Sequence, residues 1–168
     1  MSEWFTTPAR GIVVFSEVHW SSNDLKYMRK ISRDPEYRVT IDTAFEQVMR
    51  ACKDMDRRAD KENDPLEESW ILEPFVQAWI ELFKTGRAHS VEVWKGGKLV
   101  AGNYGSSFRG VYSGESMFHI EDNANKLAMY ELIELLKKSG HTWMDTQQSH
   151  GLSKKIGGRL VPRAEFRA

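Results

Sequence analysis

The sequence predicts an α+β fold, a mixed and mainly antiparallel sheet flanked by helices, and three observations carry that reading. Residues 88–118, AHSVEVWKGGKLVAGNYGSSFRGVYSGESMF, read as three consecutive strands joined by short turns. Apolar residues recur at three- and four-residue spacing in several other stretches, the period of a helix with one buried face. Short β-branched or aromatic runs stand near both ends of the chain, at Gly11–Phe15 and His141–Asp145. A chain of 168 residues, 40% hydrophobic and 29% charged, is long enough for one well-buried core. One domain over 1–168 is expected.

In the central meander, His89, Val91 and Val93 alternate with Ser90, Glu92 and Trp94, so successive side chains fall on opposite faces. Lys95-Gly96-Gly97-Lys98 interrupts the run, and Gly-Gly supplies the positive φ of a tight hairpin turn. Leu99-Val100-Ala101 starts the return strand. Gly102 and Gly105 flank Asn103-Tyr104 and mark a bulge or a close approach of another backbone. The third run, Gly110–Phe118, carries Glu115, a carboxylate that a rigid platform would hold in fixed geometry.

Around the meander, Leu25, Met28 and Ile31 give a short basic helix over Asp24–Ser32, and Tyr37–Ile41 alternates as a strand. Thr43 with Glu46 reads as a capping box before a helix with Phe45, Val48, Met49 and Cys52 on its buried stripe. Residues 53–69, KDMDRRADKENDPLEES, are dense in both charge signs and nearly free of apolar groups, and are expected to be a mobile loop. Pro74 suits the first turn of a second helix, whose Phe75, Ala78, Trp79, Leu82 and Phe83 are apolar before Gly86 ends it. Asp122-Asn123 is expected to cap a long helix bearing Leu127, Ala128, Leu132, Leu135 and Leu136, which Gly140 stops. The tail from 149 reads as loop plus a last short strand.

Charge and composition bound the partners. Lys and Arg equal Asp and Glu at 24 each, so no global field recruits a polyanion and any nucleic-acid contact must be local. A lone cysteine, Cys52, excludes an internal disulfide and suits a reducing compartment, which makes the cytoplasm the default. No apolar run approaches the roughly 20 residues of a membrane span. The five histidines show no HxH or HExxH spacing, so no metal site is expected.

The candidates for chemistry are Glu115, the pair Asp145 and Gln147, the five histidines, and a basic set of Lys154, Lys155, Arg159, Arg163 and Arg167 with Lys26, Arg29 and Lys30. On an extended segment Asp145 and Gln147 point the same way, so the carboxylate could orient the amide and leave its carbonyl facing an incoming amine. Asp145 could equally cap a turn, and Gln147 could satisfy backbone groups. Glu115 could pair with a nearby arginine, and the basic set could be a solvated face or a phosphate patch.

The segments AHSVEVW, GGKLVAGNYG, GESMF, DTQ and IGGRLVPRAEF, in this order and spacing, resemble the leucyl/phenylalanyl-tRNA–protein transferases. YRVTIDTAFEQVMRAC, SWI and the run from Trp4 to Arg10 extend the resemblance over most of the chain. It implies a GNAT-like catalytic domain, without most of the family's N-terminal domain, that needs no metal or coenzyme. It implies transfer of Leu, Phe or a related amino acid from the 3′ end of aminoacyl-tRNA to a protein whose first residue is Arg or Lys, marking that protein for degradation. On the matching motifs, Glu115 would bind the basic acceptor residue, and Asp145 and Gln147 would polarise its α-amine. Trp4 and Trp70 would stack on the terminal adenosine, with His150 among the donor contacts. Asn103 stands where the family carries a hydrophobic residue lining the aminoacyl pocket. An unpaired amide in an apolar pocket costs roughly 1–3 kcal/mol, which argues against simple Leu/Phe recognition. A GNAT-like acyltransferase with another donor, or a module that only binds basic N-termini, are the alternatives, although no Q/RxxGxG/A loop for coenzyme A is present.

Overall fold

The hairpin at Lys95–Lys98 anchors the sheet. Gly96 and Gly97 have φ of +55° and +79°, the paired positive angles a two-residue turn demands. The computed structural model describes residues 7–63, 70–149 and 151–166. Strands β1 (Ala9–Val14), β2 (Tyr37–Ile41), β3 (Ala88–Lys95), β4 (Lys98–Phe108), β5 (Val111–His119), β6 (Trp143–Gln147) and β7 (Arg159–Pro162) alternate with helices. The helices are α1 (Ser22–Ile31), α2 (Phe45–Asn63), α3 (Glu73–Lys84), α4 (Ala124–Lys138), α5 (Gly151–Lys155) and α6 (Arg163–Phe166). Among the described residues the sheet order is β2-β3-β4-β5-β6-β1-β7. Every neighbouring pair is antiparallel except β5 and β6. The expected mixed, mainly antiparallel sheet is therefore present, with the three-stranded meander at its centre.

Alternation in β3 assigns the two faces. Ala88 packs with Phe45, Val48, Met49, Ile71 and Val76, from α2, α3 and the segment between them. Val91 and Val93 point the other way, into clusters with residues of α4 such as Leu127, Ala128, Leu132 and Ile133. Helices thus cover both faces. Gly105 is the close approach its position promised: a Cβ there would lie 2.2 Å from the Ser113 carbonyl oxygen. The same point carries a register shift between β4 and β5.

Three local expectations are corrected. The charged run from 53 to 63 continues α2, since KDMDRRADKEN contains no glycine, proline or β-branched residue to oppose a helix. Residues 64–69 of the expected mobile loop lie outside the described residues. Thr43 does not form a capping box with Glu46. Its hydroxyl donates to Glu92 at 3.0 Å, while Glu46 accepts from Arg50 at 2.8 Å. Glu92, buried on β3, takes over at the start of α2 by accepting from the Thr40 and Ser90 hydroxyls at 2.5 Å each and from the Ala44 amide at 3.4 Å. Asn123 precedes α4 in a left-handed conformation, φ +64°, with no side-chain cap bond. The reciprocal capping box is found instead at α1, between Ser21 and Asp24.

Candidate active site

The site forms where β5 and β6 run parallel. Their ladder is registered at Ser113 opposite Asp145, and β5 continues to His119 while β6 ends at Gln147. The diverging strands open a cavity of about 710 Å³, lined by Glu115, Met117, Thr146 and Gln147 from the two strands, Met129 and Leu132 from α4, and Trp70 and Asn103. No cation side chain other than a histidine, His119, is found among the described lining residues.

Asp145 is 2% exposed and its carboxylate is fully engaged. The Arg10 guanidinium donates through Nη2 at 2.7 Å and through Nε at 3.0 and 3.1 Å. The Ser113 hydroxyl donates at 2.7 Å, and so does the Gln147 backbone amide. Charge pairing and these bonds offset the desolvation of a buried carboxylate. Arg10 is itself held by Phe166, whose ring centroid lies 5.8 Å from the guanidinium carbon and which packs edge-on against Trp143. The terminal PRAEF segment thus reaches the site by bracing Arg10.

Backbone capture by Asp145 bends the chain at Gln147 into the left-handed region, φ +61°. A glutamine pays strain there, and such strain concentrates at functional sites. Opposite it stands Gly11, where a Cβ would sit 2.4 Å from the Gln148 carbonyl carbon, so β1 must present a glycine to let this bend pass. The bend turns the Gln147 side chain toward β5, where Nε2 donates to Glu115 Oε2 at 2.7 Å and to the Gly114 carbonyl at 3.3 Å. Neither bond uses the amide oxygen. Glu115 is half-buried, and burial pushes its carboxyl above the ordinary glutamate range, against the opposing pull of the Gln147 hydrogen bond and the Arg10 charge.

Glu115 and Gln147 meet at the cavity, whereas Asp145 lies behind them outside its lining, so the wiring differs from the expected one. Asp145 holds the backbone of Gln147, and Glu115 holds its amide. The arginine that Glu115 could have claimed is bound to Asp145 instead. Trp70 lines the cavity and is 52% exposed, with Phe75 edge-on at a centroid distance of 5.5 Å. Asn103 lines it too. Trp4 and His150 lie outside the described residues. Arg10 and Ser113 were not singled out by sequence reasoning; they lie 135 and 32 residues from Asp145, beyond the reach of spacing arguments. Arg10 did fall inside a motif-bearing segment, which was the available signal. Among the described residues no group of three or more His, Cys, Asp or Glu side chains is arranged to hold a metal ion, and no helix is long and apolar enough to cross a membrane.

The fold is GNAT-like: a GCN5-related N-acetyltransferase from Ralstonia eutropha superposes with a TM-score of 0.55 at 16% identity, covering 73% of this chain and 90% of that one. L-PGS from Bacillus licheniformis superposes with the same TM-score, 0.55, and the same identity, 16%, over 83% of this chain and 46% of that one. In sequence the chain is 37% identical to the leucyl/phenylalanyl-tRNA–protein transferase of Pseudoalteromonas atlantica over 97% of its length and 65% of the relative's. It is 34% identical to that of Burkholderia lata, again over 97% of its own length and 62% of the relative's. The chain thus spans a little under two thirds of the curated relatives it matches. Residues 12–168 match the family described as leucyl/phenylalanyl-tRNA protein transferase, and the chain belongs to that family.

Proposed function

We propose that this chain is the catalytic domain of an aminoacyltransferase that moves an amino acid from the 3′ end of aminoacyl-tRNA to the N-terminal Arg or Lys of an acceptor protein, in the N-degron pathway of the cytoplasm. The observation that carries the reading is the Glu115–Gln147 pair inside a cavity with no other Asp, Glu, Lys or Arg among its described lining residues. Glu115 offers a cationic side chain the carboxylate it needs, and a partly desolvated carboxylate attracts a cation more strongly than an exposed one. Gln147 is held by its Nε2, so its amide oxygen is the group left to accept a hydrogen bond from the acceptor α-amine.

A free α-amine titrates at about 7.7–8.0, so an appreciable part of it is neutral near neutral pH and no strong base is required. The neutral nitrogen attacks the ester carbonyl carbon of the donor. A peptide bond forms, the ester bond to the 3′-oxygen of the terminal adenosine breaks, and the proton leaving the amine ends on that oxygen. Gln147 orients the attacking nitrogen, an effect of proximity and alignment. Asp145, sealed by Arg10, Ser113 and the Gln147 amide, acts through Gln147 as a positioning residue. Trp70 offers an exposed aromatic face to the adenine.

The test is transfer of labelled amino acids from a fully charged tRNA pool to a peptide beginning with Arg, beside the same peptide beginning with Ala. Label on the Arg peptide, reduced by Glu115→Ala, supports the reading. Absence of label from every charged tRNA overturns it. A second reading, in which the chain only binds basic N-termini, predicts peptide affinity that depends on Glu115 without any covalent product.

A further inference from the structure

Asn103 is 3% exposed, and both its Nδ2 and its Oδ1 are buried without a hydrogen-bond partner among the described residues. It lines the same cavity as Glu115 and Gln147. A buried amide with neither bond made is uncommon and costly, because donor and acceptor have both been stripped of water. Glycines on either side do not explain it. Gly102 and Gly105 serve backbone packing, against the Val91 carbonyl and the Ser113 carbonyl. What remains is a ligand that completes the amide.

We infer that the donor side chain accepted by this cavity ends in a neutral carboxamide, so that the preferred donors are glutaminyl- and asparaginyl-tRNA. The inference rests on the aminoacyltransferase reading above. Two features define the chemistry. Asn103 presents a donor and an acceptor side by side in one plane, and a second carboxamide answers both at once with two parallel hydrogen bonds; a hydroxyl offers a single oxygen. The lining holds no lysine or arginine among its described residues, so an acidic side chain would be buried without a counter-charge. A leucyl or phenylalanyl side chain would leave both Asn103 groups unpaired.

The distance fits. Asn103 is registered opposite Met117 on β5, and Glu115 lies two residues further back along that strand. Glu115 is the extra residue at the register shift, and diagonal neighbours on paired strands lie roughly 7–8 Å apart, the reach of an amino-acid side chain from its carbonyl carbon. A donor whose ester carbonyl sits by Gln147 therefore extends its side chain toward Asn103. Met117, Met129 and Met144 supply apolar walls for the intervening methylenes.

Two measurements decide it. In competition between charged tRNAs for an Arg-starting peptide, kcat/KM for the glutaminyl or asparaginyl donor is expected to exceed that for leucyl or phenylalanyl by at least tenfold. Asn103→Leu should reverse that order. Binding without turnover is read by calorimetry with hydrolytically stable 3′-aminoacylamino-3′-deoxyadenosines carrying Gln or Leu, and the Gln compound is expected to bind at least tenfold more tightly. Transfer that favours Leu or Phe, unchanged in Asn103→Leu, overturns this inference and leaves the transferase reading standing. Preferential binding of the Gln compound with no transfer to any peptide upholds the side-chain preference and overturns the transferase reading. Equal binding of the two compounds, or no binding of either, overturns the inference.

Discussion

At the scale of the residue, the proposed function predicts that Glu115 and Gln147 divide the work between binding and turnover. Glu115→Ala should raise the acceptor KM by about 10- to 100-fold, the worth of a charge-assisted bond, and lower kcat only a few-fold, because the Gly114 carbonyl still holds Gln147 Nε2. Gln147→Ala should lower kcat by about 100-fold or more and raise KM only a few-fold, because Glu115 stays in place. Steady-state kinetics on an Arg-starting peptide separate the two, and identical profiles for both variants would refute the division. The raised carboxyl of Glu115 adds a pH dependence with a defined sign. As pH falls through that carboxyl's value, above the ordinary glutamate range, the carboxylate loses its charge and KM for a cationic acceptor rises. The same group acts oppositely on stability. Its neutral form is favoured in the folded chain, so stability is lost as pH rises from the unfolded glutamate value through the folded one. Glu115→Gln removes that loss, and the gap in Tm between the variant and the parent should widen over this window. The motif residues were legible because a family resemblance put numbers on them. Their partners were not: Arg10 meets Asp145 only after the sheet has brought β1 against β6.

At the scale of the element, Glu92 shows how one buried side chain sets a helix in place. Its carboxylate sits on β3 yet receives Thr40, Thr43, Ser90 and the first amides before α2. Glu92→Ala would leave this cluster of donors without an acceptor and should destabilise the fold by about 2–4 kcal/mol, measured by urea denaturation. A loss below about 0.5 kcal/mol would show that water replaces the carboxylate. Alternation read Glu92 as one of the side chains opposite Val91 and Val93, but period alone does not distinguish a solvent-facing glutamate from one buried beneath a helix. The same limit explains α2. Its apolar stripe was visible as far as Cys52, and the charged residues beyond it looked like a loop because burial was the criterion, whereas helix propensity carries the element on to Asn63. Strands, turns and the central meander, which depend on local pattern and glycine placement, were read in nearly the places they occupy.

At the scale of the molecule, equal numbers of acidic and basic residues and a cavity free of described lysine and arginine mean that, on the proposed function, the chain would hold the end of a tRNA more than its body. The donor KM should therefore depend weakly on salt, with a log–log slope of about 1 to 2, since each phosphate contact adds roughly 0.7–0.9. A slope above about 4 would show that basic side chains such as Lys154, Lys155 and Arg163 engage the polynucleotide. The sheet also has a built-in tear line. Four antiparallel strands, β2 to β5, meet three others, β6, β1 and β7, through the pairing at Ser113 and Asp145. Beyond it, the side-chain hydrogen bonds that cross the seam among the described residues include Ser113–Asp145, Gln147–Glu115 and Gln147 to the Gly114 carbonyl. On the proposed function, an acceptor that draws Glu115 to its own cation would work directly on one of those bonds, so a substrate in the seam would also take over part of the job of keeping the two halves together.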